Sequence, residues 1–176
     1  SKILVILLIA LLSGIAVGLI EEIFFRGVMQ TGARQTLNFW SAAIMISLFY
    51  SMVHFMRPSA PSSEDISLIE SFSMLFNGLN GFERIIENFD RFIGLVVAGI
   101  FLSMIRERMK SVLWAIGIHA GWVATIKISK EFTILQNEAS ANFLVGADGI
   151  VGLASAIWIA IIATTFWVLT RTKDSS

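Results

Sequence analysis

Long apolar stretches alternate with short polar ones along the whole chain. A membrane-spanning helix needs roughly 20 mostly apolar residues, because the hydrocarbon core is about 30 Å thick and a helix rises about 1.5 Å per residue. None of the apolar stretches shows the residue-by-residue alternation of a barrel strand. The pattern therefore predicts an all-α, polytopic integral membrane helical bundle with about five transmembrane helices. The predicted spans are 3–20 with a helical continuation to 36, 39–56, 92–105, 112–128 and 150–169.

Two long polar connections interrupt this pattern, at 57–90 and 129–148. Both prolines of the chain lie near the start of the first connection, which marks a loop. Its later part, 66–76, mixes apolar and polar positions and predicts a helix lying at the membrane interface. Because no internal repeat interrupts the chain, residues 1–176 are predicted to form a single membrane-embedded domain.

The amino-acid composition further restricts the class of protein to which this chain can belong. Hydrophobic residues make up 56% of the chain and charged residues 15%, whereas soluble domains carry about 25% charged residues. The net charge of +0 excludes an electrostatic nucleic-acid binder, which needs a basic face. Without cysteine there is neither a disulfide framework nor a thiolate zinc site. The expected partner is the lipid bilayer, and no nucleic-acid partner is expected.

Charge interrupts the first predicted span at Glu21, Glu22 and Arg26. An ionisable residue inside a span costs about 2.5–3.5 kcal/mol on insertion scales and marks a functional site by default. Glu22 and Arg26 are four residues apart, so they can pair on one helical face. Glu21 lies about 100° around the helix from Glu22 and is free to face another element. The alternative is an interfacial Glu–Arg pair at the end of a span.

The two histidines of the chain fall near the level of Glu21. Glu21 lies 16 residues before the turn expected at 37–38, and His54 lies 16 residues after it. An antiparallel hairpin therefore places both about 24 Å from the turn. His119 lies mid-way along the fourth predicted span. The three groups could activate water, form a His/His/Glu metal site, or act as a proton relay in a small transporter.

His119 reaches this level if the polar end of the first hairpin, 30–38, protrudes by roughly 10 Å. Small neighbours of His119 would let another helix approach it closely; they are Gly117, Ala120 and Gly121. We therefore expect a protruding 30–38 end and a close helix contact around His119.

Three motifs occur in a fixed order: EExxxR from Glu21, FYSMVH ending at His54, and SVLWAIGIHAGW around His119. In this order they resemble the CPBP family of intramembrane proteases, which includes the type II CAAX prenyl endopeptidases and bacteriocin-processing and immunity-type (Abi-like) relatives. The motifs cover about 15–127. The resemblance implies a catalytic cavity that opens within the bilayer, and an endopeptidase that cuts a membrane-associated, prenylated or otherwise lipidated protein or peptide.

By this resemblance, Glu21 is the general base, and His54 helps to hold and activate the attacking water. His119 polarises the scissile carbonyl or stabilises the oxyanion, while Glu22 and Arg26 form a supporting pair. The resemblance favours a glutamate-dependent reaction with no required metal; zinc bound by Glu21, His54 and His119 is the alternative. The expected location is the bacterial inner membrane, as a multi-pass protein.

Two positions depart from the family pattern. Tyr50 replaces the usual Phe four residues before His54, and its hydroxyl could enter the site. Val123 replaces the Asn often found four residues after His119, and valine cannot donate a hydrogen bond. Loss of an oxyanion donor costs about 10²–10³ in rate in other proteases. The alternative function is therefore a catalytically silent, immunity-type relative that binds a membrane peptide or partner.

Overall fold

The described part of the protein is helical. The computed structural model describes residues 2–56, 81–132 and 152–171, and no strand occurs within these ranges. The helices are α1 (Lys2–Glu22), continued by a π-helical segment (Ile23–Met29) and α2 (Gln30–Ala33), then α3 (Phe39–Phe55), α4 (Gly81–Glu87), α5 (Phe89–Met109), α6 (Val112–Phe132) and α7 (Leu153–Arg171). The predicted all-α membrane bundle is confirmed.

Three helices of the described part are long and apolar enough to cross a membrane: Lys2–Ala33, Val112–Glu131 and Leu153–Thr170. They correspond to the first, fourth and fifth predicted spans. The second predicted span forms α3, an apolar helix of 17 residues. The third forms α5, which has 21 residues and carries charged side chains in both end turns. All five predicted segments thus form helices in the described residues. However, the second is shorter than a typical membrane-spanning helix, and the third carries charged residues in its end turns.

The third predicted span, 92–105, is longer in the structure. Its helix extends beyond both predicted ends, and at the C-terminal end the basic side chains of Arg106 and Arg108 in the last turn interact favourably with the helix dipole. The helix ends at Lys110, whose left-handed backbone (φ 53°) turns the chain into α6.

The predicted connections are shorter than expected where the structure describes them. The segment predicted as the loop 57–90 contains α4 and the first residues of α5. The connection predicted at 129–148 begins later, because α6 continues to residue 132. The predicted interfacial helix at 66–76 lies outside the described residues.

Helix α1 packs along α6 through a stripe of small residues. Four residues of α1 are buried, and they follow one another at intervals of four residues, about one helical turn. They are Ala10, Gly14, Gly18 and Glu22. A Cβ on Gly14 would collide with the backbone oxygen of Ala120, and one on Gly18 would lie 2.9 Å from the Ile116 oxygen. Glycine therefore lets the two backbones touch, as is common between membrane helices. The stripe ends at Glu22, so the contact brings Glu22 to α6.

The prediction placed the small residues of this contact on the wrong helix. Gly117 and Gly121 are exposed, and a Cβ on either would meet nothing within 4 Å. Ala120 is buried against α1, as expected. The close approach of a helix near His119 is present, but the glycines that permit it belong to α1.

Replacing Gly14 with alanine is expected to lower the free energy of unfolding by about 1–3 kcal/mol, the usual cost of overpacking a close contact. The added methyl group meets backbone atoms of α6, which cannot rotate away as a flexible side chain could. Unfolding of the purified protein in bicelles measures the change. Gly117→Ala is the matched control, because the same substitution there enters open space and is expected to raise stability slightly, by up to about 1 kcal/mol, through the better helix propensity of alanine. Equal destabilisation by both variants would contradict this account of the contact.

The polar end of the first helix does not protrude, because it bonds to α5. The two helices run parallel, and the three bonded pairs each join residues 73 apart in the chain. The pairs are Arg26 with the Gly99 oxygen (3.0 Å), Gln30 with the Ser103 oxygen (3.3 Å) and Arg34 with the Glu107 carboxylate (3.2 Å). We call these three pairs the polar ladder. Gln30 is fully buried in it, so the expected protrusion of 30–38 is not observed.

Candidate active site

Three helices bring Glu21, His54 and His119 together. Glu21 lies at the end of α1, His54 in the last turn of α3, and His119 mid-way along α6. The Glu21 Oε2 atom lies 3.6 Å from His54 Nε2 and 3.8 Å from His119 Nε2. Both distances exceed a direct hydrogen bond, and a water molecule lying to one side of the three atoms can contact all of them. Within the described ranges, no group bonds to this Glu21 oxygen.

Glu22 is fully buried and anchors the other side of His119. Its Oε1 atom lies 2.8 Å from His119 Nδ1 and accepts a hydrogen bond from Arg26 Nη1 at 3.1 Å. Arg26 is also fully buried and donates from Nη2 to the Gly99 oxygen. The structure thus contains the Glu22–Arg26 ion pair that the four-residue spacing predicts, and this pair orients the His119 ring.

The hydrogen-bond partners identify the protonated nitrogen of each histidine. Nδ1 of His54 lies 2.9 Å from the Tyr50 carbonyl oxygen, which accepts hydrogen bonds and cannot donate them. Nδ1 of His119 faces the Glu22 carboxylate, an acceptor that already pairs with Arg26. Both Nδ1 atoms therefore carry a proton. In both rings, Nε2 is the nitrogen turned toward Glu21.

Tyr50 closes the site on the side of α3. Tyr50 is only 3% exposed. The centre of its ring lies 4.4 Å from the centre of the His54 ring and 6.2 Å from the centre of the His119 ring. The Arg26 guanidinium lies 4.8 Å from the Tyr50 ring centre, within the range of a cation–π contact. The Tyr50 side chain also interacts with the carboxylate of Glu21. It therefore contacts or faces each of the groups that the sequence singled out.

A cavity of about 720 Å³ extends from the site between α3, α4, α5, α6 and α7. Tyr50, His54 and His119 are among the residues that line it. Apolar side chains form much of its wall, among them Leu95, Trp122, Val123, Ile126, Trp158 and Ile159. Charged side chains line the part nearest α4 and the end of α6; they are Arg84, Glu87, Arg91 and Lys130. The cavity is thus lined by both apolar and charged side chains.

Trp122 and Trp158 line the cavity, a position that sequence reasoning did not assign to them. Trp122 could have been found, because it lies three residues after His119 on the helical face that also carries Val123. Trp158 lies on α7, and its approach to α6 depends on tertiary packing that spacing does not reveal.

Zinc is the open alternative for Glu21, His54 and His119. In the part of the chain that the structure describes, no group of three or more His, Asp or Glu side chains has an arrangement that could hold a metal ion. The donor geometry therefore gives the zinc alternative no support.

Fold and site together define a helical membrane protein with a partly exposed carboxylate facing two imidazoles that line a cavity. A family model for type II CAAX prenyl endopeptidase Rce1-like proteins matches residues 3–125. The chain belongs to this family of CAAX-type intramembrane endopeptidases, so the predicted family is confirmed. The match includes Glu21, His54 and His119. No curated protein and no solved structure matches the chain.

Proposed function

We propose that this protein is a glutamate-dependent intramembrane endopeptidase that cuts a membrane-anchored, lipidated protein or peptide. The observation that carries the proposal is the Glu21 Oε2 atom. It has no hydrogen-bond partner among the described residues, and it faces Nε2 of both His54 and His119. The family match supports protease activity in general. A carboxylate between two imidazoles is suited to activating water.

In the proposed reaction, a water molecule lies between Glu21 and His54. Its oxygen attacks the scissile carbonyl carbon while Glu21 takes one of its protons. The second hydrogen is held by His54 Nε2, which directs the attacking lone pair. Glu21 then delivers the proton to the amide nitrogen as the C–N bond breaks, and the hydroxyl stays on the new carboxyl group. General acid–base catalysis of this kind contributes about 10²–10⁴ in rate.

Charge balance supports the role of His119. The two carboxylates of Glu21 and Glu22 outnumber the guanidinium of Arg26, and an unbalanced charge is costly inside a membrane. A protonated His119 makes the cluster neutral. Because its Nδ1 proton is held by Glu22, the Nε2 proton is then available to the carbonyl oxygen of a substrate. This arrangement suits His119 to stabilise the oxyanion.

Tyr50 is the second candidate donor to the oxyanion. Val123 lines the cavity one turn after His119, where the family often has Asn, and it cannot donate a hydrogen bond. Tyr50 lines the same cavity as both histidines. A tyrosine hydroxyl can donate, so Tyr50 compensates for the missing amide in this proposal.

The cavity supports an amphiphilic substrate. Its volume of about 720 Å³ falls within the range of roughly 300–1,000 Å³ that is usual for small-molecule sites. Trp122 and Trp158 provide an apolar wall for a lipid chain, and the histidines line the same cavity, where the peptide bond would be cut. A peptide carrying a lipid fits this mixed apolar and polar lining better than a soluble peptide.

Comparative peptidomics tests the proposed function. Membrane fractions of cells that produce either the wild type or His54→Ala are compared for new peptide termini. The wild type is expected to yield a cleaved membrane peptide that is missing with the variant. Glu131→Gln is the control, because Glu131 is exposed on α6 and does not line the cavity. Identical termini with the wild type and His54→Ala would refute proteolysis through this site.

Val123 favours a second function, that of a catalytically silent relative that binds a membrane peptide or partner. A site with a missing amide donor can retain its cavity and lose its chemistry. Glu21→Ala and His54→Ala separate the two functions. A cellular phenotype that survives both substitutions, with no change in peptide termini, supports binding, whereas a phenotype lost with both supports proteolysis.

Chelation is expected to leave peptide cleavage unchanged, because the proposed reaction uses Glu21 and no metal. The rate is measured before and after exhaustive dialysis against chelators, together with the metal content of the purified protein. Stoichiometric zinc, loss of cleavage on its removal and recovery on its return would overturn the glutamate-dependent reaction.

A further inference from the structure

A row of buried polar atoms lies beyond the catalytic groups, where the first helix meets α3 and α5. Four side chains of this row are fully buried, and each has a polar atom without a hydrogen-bond partner in the described ranges. The atoms are Arg26 Nε, Gln30 Oε1, Ser47 Oγ and Ser103 Oγ. Buried polar atoms are almost always hydrogen-bonded, either to protein or to ordered water. The row therefore points to bound water.

The row follows the polar ladder. Arg26 bonds to the Gly99 oxygen and Gln30 to the Ser103 oxygen, so these levels lie one helical turn, about 6 Å, apart. Two hydrogen bonds of about 2.8 Å through one water molecule span nearly the same length. Ser47 reaches the row from α3, since a Cβ on Gly99 would lie 2.9 Å from its Oγ and 3.2 Å from Arg26 Nη2. The spacing suits bridging water molecules.

The row begins at the catalytic site and ends near the surface. Glu22, whose Oε2 atom also bonds to no described group, lies one turn before Arg26. One turn beyond Gln30, Arg34 pairs with Glu107, and these two side chains are 31% and 17% exposed. The row thus joins the buried carboxylates to a partly exposed ion pair.

The row and the cavity leave the site in opposite directions. On α5, cavity-lining residues fall within 91–98, whereas the bonded positions of the polar ladder fall within 99–107. Each hydrolysis consumes one water molecule. A substrate that fills the cavity blocks entry of water from that side. A second route for water would therefore allow hydrolysis to proceed while the substrate is bound.

We propose that the buried row binds a file of internal water molecules, which supplies the catalytic site while substrate occupies the cavity. The water is held by the guanidinium of Arg26, the amide of Gln30 and the hydroxyls of Ser47 and Ser103. The supply role rests on the proposed endopeptidase function. The presence of the water does not, so the two can be tested separately.

Solid-state NMR of the protein in lipid bilayers tests for the water directly. Magnetisation transfer from water to the side-chain amide of Gln30 is expected to build up as fast as transfer to that of the exposed Gln35, although Gln30 is fully buried. The backbone amide of the fully buried Ala42, bonded within its helix, is the slow reference. Transfer to Gln30 as slow as to Ala42 would overturn the proposal, whether or not the protein is an endopeptidase.

Ser103 offers a matched pair of variants, because valine and threonine have nearly the same shape and differ in the hydroxyl. Ser103→Val is expected to slow the transfer to Gln30 and to lower kcat about tenfold, which corresponds to about 1.4 kcal/mol in the barrier. KM stays unchanged because Ser103 does not line the cavity. Ser103→Thr is expected to keep both the transfer and kcat near wild type.

The two readouts distinguish the two proposals. Equal transfer rates and equal kcat in Ser103→Val and Ser103→Thr would overturn the water file. If the wild type cleaves no peptide but water transfer to Gln30 is fast and slowed in Ser103→Val alone, the bound water is supported and the endopeptidase function fails.

Discussion

Exchanging Glu21 for glutamine lowers kcat for peptide cleavage by about 10²–10⁴-fold and leaves KM within about twofold of wild type. The amide keeps the size of the side chain but cannot take a proton from water. The Glu21 side chain is 25% exposed and its Oε2 atom bonds to no described group, so the substitution leaves the fold intact. Both constants are measured in lipid nanodiscs with a peptide that the peptidomic comparison identifies, alongside thermal unfolding.

Glu131→Gln makes the same chemical change at an exposed position of α6 and is expected to keep wild-type kcat. The comparison separates loss of the base from a general change of charge. If Glu21→Gln folds normally and keeps more than about a tenth of wild-type kcat, Glu21 is not the general base.

Replacing Arg26 with methionine is expected to lower the free energy of unfolding by about 3–5 kcal/mol, the usual penalty for removing one partner of a buried ion pair. Glu22 and Arg26 are both fully buried, so the carboxylate that remains loses its guanidinium partner inside the protein. The loss of the Arg26 bond to the Gly99 oxygen adds to the effect. Unfolding in bicelles measures the change.

The double variant Glu22→Gln/Arg26→Met is expected to recover most of this stability, because it leaves no unpaired charge in the interior. It does not recover activity, since a neutral amide no longer stabilises a protonated His119. We expect kcat about 10–100-fold below wild type, as is typical when an orienting partner is lost. A double variant that is both stable and fully active would show that the pair is structural and does not act through His119.

Counting along helices was enough to predict part of the site. Glu21 and His54 lie at nearly equal distances from the connection at 34–38, and a constant rise per residue places them at one level. The Glu22–Arg26 pair follows from the four-residue spacing. Each of these inferences concerns one helix or one hairpin and needs no knowledge of how the remaining helices pack.

The contact of His119 with Glu22 needs that knowledge. The contact depends on Gly14 and Gly18, which let α1 touch α6. The spacing of small residues in a sequence does not show which other helix will pack against them. Gln30 shows the same limit. A polar residue near a helix end is expected in water, yet it is buried because α5 offers a carbonyl oxygen opposite.

The cavity also lay beyond prediction, because five helices form it together. The part of the wall that α6 contributes could be predicted from the sequence, because His119, Trp122 and Val123 lie on one face of that helix. The contribution of α7 could not, because that helix has no motif in common with the other walls. The location of the site could thus be predicted from the sequence, but its depth and lining could not.

The glycine contact between α1 and α6 limits how this protein can be stabilised. Exchanging helical glycine for alanine is a common way to raise thermal stability, since it reduces the freedom of the unfolded chain. At Gly117 and Gly121, which face open space, that strategy is safe. At Gly14 and Gly18 the same exchange would widen the gap that sets how far His119 stands from Glu22. An engineering programme that treats all helical glycines alike would therefore lose stability at Gly14 and move His119 away from Glu22.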